Sequence, residues 1–371
     1  MQGNPKVVVF GGTGHFGARI CRRLSKQQGF ELIITSRSAE RANQLAAELQ
    51  AQTAAVSGAA IDQDSPDLAD QLRALNPNVV IHTAGPYQGQ DYRVAEACIE
   101  ASCHYVDLAD GRQFVAGFDS LDAAAKDAGV VLISGASTLP GVSSAVIDEY
   151  RDRFQRIDGI EISIAPAHQT PRGIGTVRAV LSYCGAPFQS WRDGQWYTVH
   201  GWQDLRVQRY PMLGRRVSGA CDVPDLELFP DYVPGVRTVS FHAALEAPWE
   251  HLGLWFMAWL TRASLVRDWT RYASSFSAMS ERLIRLGSTR GGMRITLRGT
   301  AADGMQRVIH WDLLAEQNHG PEIPCTPAIV VTSKLLNDEL SAPGAYPCLG
   351  LFTVAEFMAE LADFDISVEA S

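Results

Sequence analysis

No run of basic residues occurs in this 371-residue chain, and its formal charge is −9. Without a lysine or arginine stripe to track phosphates, nucleic acid is excluded as the expected partner. The seven cysteines are scattered with no C-x-x-C and no paired spacing. That dispersal argues against a disulfide framework or zinc site and for reduced thiols in a cytoplasmic protein. The nine histidines form neither H-x-H nor H-E-x-x-H, so no metal site is expected. No signal-peptide pattern, tandem repeat or low-complexity segment appears. The most apolar window, His251 to Val266, is interrupted by Arg262 and is shorter than the roughly 20 residues of a membrane span. No integral span is therefore expected; a buried helix or oligomer contact is the main reading, with a membrane-surface anchor as the lesser one.

What is present is an ordinary globular composition, 46% hydrophobic and 20% charged, in a chain long enough for two lobes. The first 135 residues alternate between strand-like and helix-like segments. "KVVVFG" is an apolar run ending at glycine, and a helix is predicted from about Gly14 to Gln28, with Phe16, Ile20 and Leu24 on one face. "ELIITSR", "AAVSGAAID", "NVVIHTAGPY", "CHYVDL" and "VVLISGAS" continue the strands, with helices between them. In "SPDLADQLRAL", Ser65 reads as the N-cap and Pro66 as the first helical residue. Six such alternations predict a Rossmann-like, doubly wound parallel sheet in an α/β domain over residues 1–140. From about Gly141 the pattern shifts to antiparallel strands, including a hairpin around Ala302-Asp303-Gly304. Residues 141–324 are thus expected to form a second, mixed α+β domain for substrate or oligomerisation, with a homodimer left open. The segments of about 325–371 read as helices completing the first domain.

The chemistry concentrates in the first domain. Gly12, Gly14 and Gly17 fit G-x-G-x-x-G, and Gly11, Gly14 and Gly17 fit G-x-x-G-x-x-G. Following a strand and opening a helix, Gly11, Gly12, Thr13, Gly14, His15, Phe16 and Gly17 form a pyrophosphate-binding loop, with the anion at the helix N-terminus. NAD sites carry a carboxylate after the second strand, whereas this chain has Ser36, Arg37 and Arg41, which favour the 2′-phosphate of NADP and make NAD the lesser choice. Asp62 could accept from the adenine amino group or merely precede a helix. Thr83, Ala84 and Gly85 would contact cofactor through backbone, with Tyr87 pointing into the substrate crevice. Asp107 and Asp110 lie on the same rim, as proton donor, substrate anchor or plain turn residue. No tyrosine has lysine four positions on, and no G-x-S-x-G elbow occurs, so short-chain dehydrogenase and serine-hydrolase chemistry are excluded.

With "VVVFGGTGHFG", "VIHTAGPYQGQDYRVAEACIEASCHYVDLAD", "LDAAAKDAGVVLISGASTLPGVSS" and "TPRGIGTVRAVLSYCGAPFQSWRDGQW", the chain resembles the saccharopine dehydrogenase-like oxidoreductases, in their NADP-linked saccharopine reductase branch. "TPAIVVTSKLL" and "GAYPCLGLFTVAEFMAEL" also look like the ends of many members, and the match is tightest over residues 5–148. The resemblance implies NADP in a cleft and makes Tyr87 and Arg172 the substrate-side candidates. Arg172 would clamp a carboxylate, or else is a surface turn residue. The family's D-P-G-x-D turn here reads Leu139-Pro140-Gly141-Val142-Ser143. An ammonium buried there unpaired would cost several kcal/mol, which argues against saccharopine itself as substrate. The resulting expectation is an NADP-dependent oxidoreductase acting on a carbonyl, imine or activated alkene of a small molecule. The alternatives are an NADP-binding sensor or scaffold without turnover, and a membrane-surface protein using Trp249–Trp259.

Overall fold

The computed structural model of the chain describes residues 4–50, 55–171 and 173–371. In chain order the first elements are β1 (Lys6–Phe10), α1 (Gly17–Leu24), β2 (Glu31–Ser36), α2 (Ala39–Gln50), β3 (Val56–Ala60), α3 (Leu68–Leu75) and β4 (Val79–His82). There follow α4 (Arg93–Glu100), β5 (His104–Asp107), α5 (Arg112–Ala116), α6 (Asp122–Ala128), β6 (Val131–Ser134), α7 (Ser143–Arg151) and β7 (Arg156–Ala165). Next come α8 (Ile174–Ser182), β8 (Pro187–Arg192), β9 (Gln195–His200), β10 (Arg206–Tyr210), β11 (Gly214–Ala220), α9 (Asp225–Tyr232), β12 (Thr238–Ala244), α10 (Pro248–Arg262) and α11 (Ala273–Leu283). The chain closes with β13 (Gly291–Thr300), β14 (Gln306–Ala315), α12 (Thr326–Leu336), β15 (Gly344–Pro347), α13 (Val354–Ala359) and β16 (Ile366–Ala370). It divides into two compact units, Met1–Val142 with Glu322–Phe352, and Ser143–Pro321 with Thr353–Ser371.

The first unit holds a seven-stranded sheet in the order β15-β6-β5-β4-β1-β2-β3. Every pairing in it is parallel. Its central strands are unbroken apolar runs because helices cover both faces; Val7, Val8, Val9, Val79, Val80 and Ile81 are all fully buried. Strand order reverses between β1 and β4, which opens a crevice beyond their carboxyl ends. α1 is shorter than the 14–28 pattern predicts and starts at Gly17. α3 begins at Leu68, with Asp67 and not Ser65 at its cap; the Ser65 hydroxyl instead accepts from the Asp67 amide at 3.3 Å and the Gln71 amide group at 3.0 Å.

The second unit is a mixed sheet in the order β10-β11-β12-β7-β13-β14-β16, with β8 on β12 and β9 on β8. All pairs are antiparallel, as expected, except β12 with β7. That pair can be parallel because α8, β8–β11 and α9 supply the long crossover it requires. The Ala302-Asp303-Gly304 hairpin forms between β13 and β14, with Thr300 opposite Gln306. The reading of 325–371 as helices of the first domain is corrected: β16 pairs with β14, and Thr353–Ser371 belong to the second unit. Residues 322–352 alone return to the first, where β15 adds a seventh strand beside β6. All seven cysteines are buried, and none forms a disulfide. No helix among the described residues is long and apolar enough to cross a membrane. The His251–Val266 window, however, is not a buried helix: α10 leaves Trp249, Leu252, Phe256 and Trp259 exposed.

Candidate dinucleotide site

The loop after β1 is shaped by contacts that only glycine permits at two places. Gly11 adopts φ +69°, and the Gly14 amide donates back to its carbonyl at 2.8 Å. At Gly17 a Cβ would strike the Gly11 carbonyl, and would lie 2.7 Å from Thr83 Oγ1 and 2.8 Å from Gly12 Cα. α1 therefore begins in direct contact with the strand-exit loops, its N-terminus aimed into the crevice at the strand-order reversal. Gly14 stays exposed, so a ligand can approach the backbone there. Thr83 does more than the expected backbone contact: its hydroxyl donates to the Phe10 carbonyl at 2.7 Å and sits 3.2 Å from that of Gly11, tying the end of β4 to the loop.

Thr13, His15 and Phe16 are half-buried around this turn. The His15 and Phe16 rings meet edge to face at 4.9 Å. Burial, helped by the neighbouring Arg19 charge, lowers the His15 imidazole to about 4, so it is neutral at pH 7. Arg19 donates to the His15 carbonyl at 2.6 Å and pairs with Glu322 at 3.1 Å. The return segment therefore braces the loop.

At the end of β2, Arg37 and Arg41 are exposed, and their side chains make no hydrogen bond or ion pair among the described residues. Ser36 Oγ accepts from the Ser38 amide at 3.3 Å, which turns the chain into α2. Asp62 is exposed, and its carboxylate accepts from the Asp64 amide at 3.1 Å, closing a local turn after β3. A helix N-terminus, a glycine loop held against β4, and guanidinium groups one strand away are an arrangement that could hold a dinucleotide.

The rim beyond β4 and β5 departs from expectation. Gly85 is exposed and Ala84 half-buried, and Gln90 Nε2 donates to the Ala84 carbonyl at 3.0 Å. Tyr87 does not point into an open crevice. Its ring is buried between His82 and Phe114, with centroids 5.4 Å away in each case, and its hydroxyl donates to the His82 carbonyl at 2.6 Å. A buried phenol needs an acceptor, and the backbone supplies it. Burial, with Asp107 nearby, pushes that phenol well above its usual range.

Asp107 also lies beneath the rim and not on it. Fully buried, its Oδ1 accepts from the Gly135 amide at 2.7 Å, the Ala109 amide at 2.9 Å and the Ser134 hydroxyl at 3.1 Å. Burial pushes its carboxyl up to about 6, while these donors and Tyr105 hold it back from rising further. The side chain links the exits of β5 and β6 and is first of all a structural tie. Asp110 is exposed and accepts from Gln88 Nε2 at 3.1 Å. Arg172 lies outside the described residues.

The sequence reading missed His82, the last residue of β4. It is buried, with Nδ1 3.0 Å from the Tyr105 hydroxyl and Nε2 3.3 Å from Gln63 Oε1, and burial lowers it to about 4. A histidine ending the apolar run "VVIH" was the available signal.

Residues 7–133 match the family model of the saccharopine dehydrogenase NADP binding domain. That stretch runs from β1 into β6. Among solved structures, the chain is similar to apo histidine-tagged saccharopine dehydrogenase (L-Glu forming) from Saccharomyces cerevisiae, at 15% identity and a TM-score of 0.69, covering 100% of both chains. It also aligns with a probable dehydrogenase from Thermotoga maritima at 10% identity and a TM-score of 0.48, over 96% of this chain and 93% of that one. No curated protein matches. The domain match spans β1 to β6, and the full-length likeness is one of fold.

Proposed function

We propose that the first unit binds NADP(H) across the exits of β1, β2 and β4, and that the protein moves a hydride between it and an unsaturated centre of a small organic molecule. The observation carrying this reading is the pair of exposed, unpaired guanidinium groups of Arg37 and Arg41 beside a strand end without a carboxylate, next to the glycine loop. In this reading the loop amides and the α1 N-terminus hold the pyrophosphate, and Arg37 and Arg41 hold the 2′-phosphate. The nicotinamide supplies the hydride chemistry, and the backbone of Thr83–Gly85 orients it. Of the described acid–base candidates Asp110 alone reaches solvent, so it is assigned to orient substrate or relay a proton. Arg172 is assigned to an anionic substrate group.

Saccharopine is a poor fit on this reading. Leu139, Pro140, Gly141 and Val142 are buried, and a Cβ at Gly141 would touch Phe352 and Pro327 at 3.4 Å, an apolar setting hostile to an ammonium group. Calorimetric titration with NADPH and NADH tests the first step, with preference for NADPH expected. NADPH oxidation is then followed over carbonyls, imines and enoyl thioesters. Failure to bind either nucleotide overturns the proposal.

A second reading, a sensor that binds NADP without turnover, is favoured by the commitment of Tyr87 and Asp107 to the fold. NADPH binding with no oxidation across all three substrate classes would support it. Turnover in any class would end it.

A further inference from the structure

The second unit carries a surface that the nucleotide reading does not use. Trp249, Leu252, Phe256 and Trp259 are 51%, 53%, 59% and 44% exposed, and their spacing of three, four and three places them on one stripe of α10. Leu265, just past the helix, is 72% exposed. The stripe cannot roll inward, because the opposite face is engaged. His251 and Ala258 are fully buried there, the His251 ring meets Trp202 at 5.7 Å, and a Cβ at Gly185 would lie 2.9 Å from Ala258 Cα. Contiguous exposed aromatics on a rigid face mark a surface that something covers.

Charge decides what covers it. Residues 248–290 contain six arginines, no lysine and three acids (Glu250, Asp268 and Glu281); with Arg290 set aside because it pairs with Glu316 at 2.8 Å, the local balance is 5 − 3 = +2 in a chain of net −9. Arg267, Arg271, Arg282 and Arg285 are exposed and make no ion pair among the described residues. Arg262 lies over the Trp259 ring at 4.5 Å. A second copy placed on this face by a two-fold axis would bring one net-positive surface against another. An anionic lipid surface instead neutralises them, while tryptophan and phenylalanine settle at headgroup depth and the arginine stems snorkel outward. With 15 residues α10 extends about 22 Å, too short to cross the bilayer but suited to lying in its plane.

We propose that the α10 stripe and its flanking arginines dock the protein on an anionic lipid bilayer, with α10 in the interface plane. Co-sedimentation of the full chain with vesicles tests this, comparing phosphatidylcholine alone with phosphatidylcholine mixed with phosphatidylserine. Binding to the mixed vesicles alone is expected, with a blue shift of tryptophan emission and partial release by salt. Arg267→Ser and Arg271→Ser should each weaken partitioning about fivefold. Phe256→Ser should weaken it further while leaving the melting temperature unchanged, which separates lost docking from misfolding. Protein remaining in the supernatant with the mixed vesicles overturns the proposal. So does a dimer in sedimentation velocity that Phe256→Ser dissociates, since a second copy would then cover the stripe.

Discussion

The two sheets handle the same problem, burying apolar strands, in opposite ways. The first is wholly parallel and covered on both faces, and its polar groups gather at one edge, where β1 and β4 part. The second is almost wholly antiparallel, and its helices keep a large apolar stripe at the surface. A parallel sheet concentrates function at a strand edge, readable from a glycine loop. A mixed sheet spreads function over its covering helices, where only the folded surface shows which residues remain outside.

Among the described residues each unit fully buries one aspartate, and these give the largest expected effects. Burial raises Asp225 to about 7, partly offset by the Ser143 hydroxyl, and raises Asp107 to about 6. Such a carboxyl stays protonated in the fold while its unfolded counterpart ionises. Stability is therefore lost as pH climbs from about 4 through these folded values. The full cost of ionisation is on the order of 4 kcal/mol for Asp225 and 3 kcal/mol for Asp107. Urea unfolding of Asp225→Asn and Asp107→Asn against pH should show each variant losing part of that decline. An unchanged pH profile in both would remove buried acids from the comparison.

Gly17→Ala comes next. With its new Cβ against the Gly11 carbonyl and Thr83, it should destabilise the first unit by about 1–3 kcal/mol and abolish NADPH binding. Thermal melting with and without nucleotide reads both effects. Arg37→Ala is expected to weaken NADPH binding by about 1.5–3 kcal/mol while leaving NADH nearly unaffected. Equal losses for both nucleotides would sharpen the picture against a 2′-phosphate site. Smallest in stability is Phe256→Ser, within about 0.5 kcal/mol by melting, because it removes an already exposed ring.

The parallel sheet was legible because its strands are continuous apolar runs and its first turn carries three spaced glycines. The limits of that reading were equally physical. Tyr87 and Asp107 have the right chemistry in the right loops, but sequence does not tell whether a phenol meets substrate or a backbone carbonyl five residues back. His82 looked like the end of a strand and proved to be the centre of a buried polar chain with Tyr105 and Gln63. In the second unit, hairpins and helices were visible, whereas the parallel pairing of β7 with β12 joins segments far apart and leaves no local periodicity. For α10, the apolar residues were evident, but the side on which they lie was set by Gly185 and Trp202, outside the helix.

Strand β15 imposes an order on the protein's synthesis. Residues 1–142 leave the ribosome first, yet β6 remains an open edge until Gly344–Pro347 emerge, after the whole of 143–321 has been made. Until residues 322–326 are made, Arg19 and Arg23 also lack Glu322, and Arg23 lacks the Thr326 hydroxyl it meets at 2.8 Å. The nascent first unit thus waits with an unpaired strand edge, the kind of surface that invites premature association and chaperone capture. Chains truncated before residue 344 should carry that vulnerability permanently.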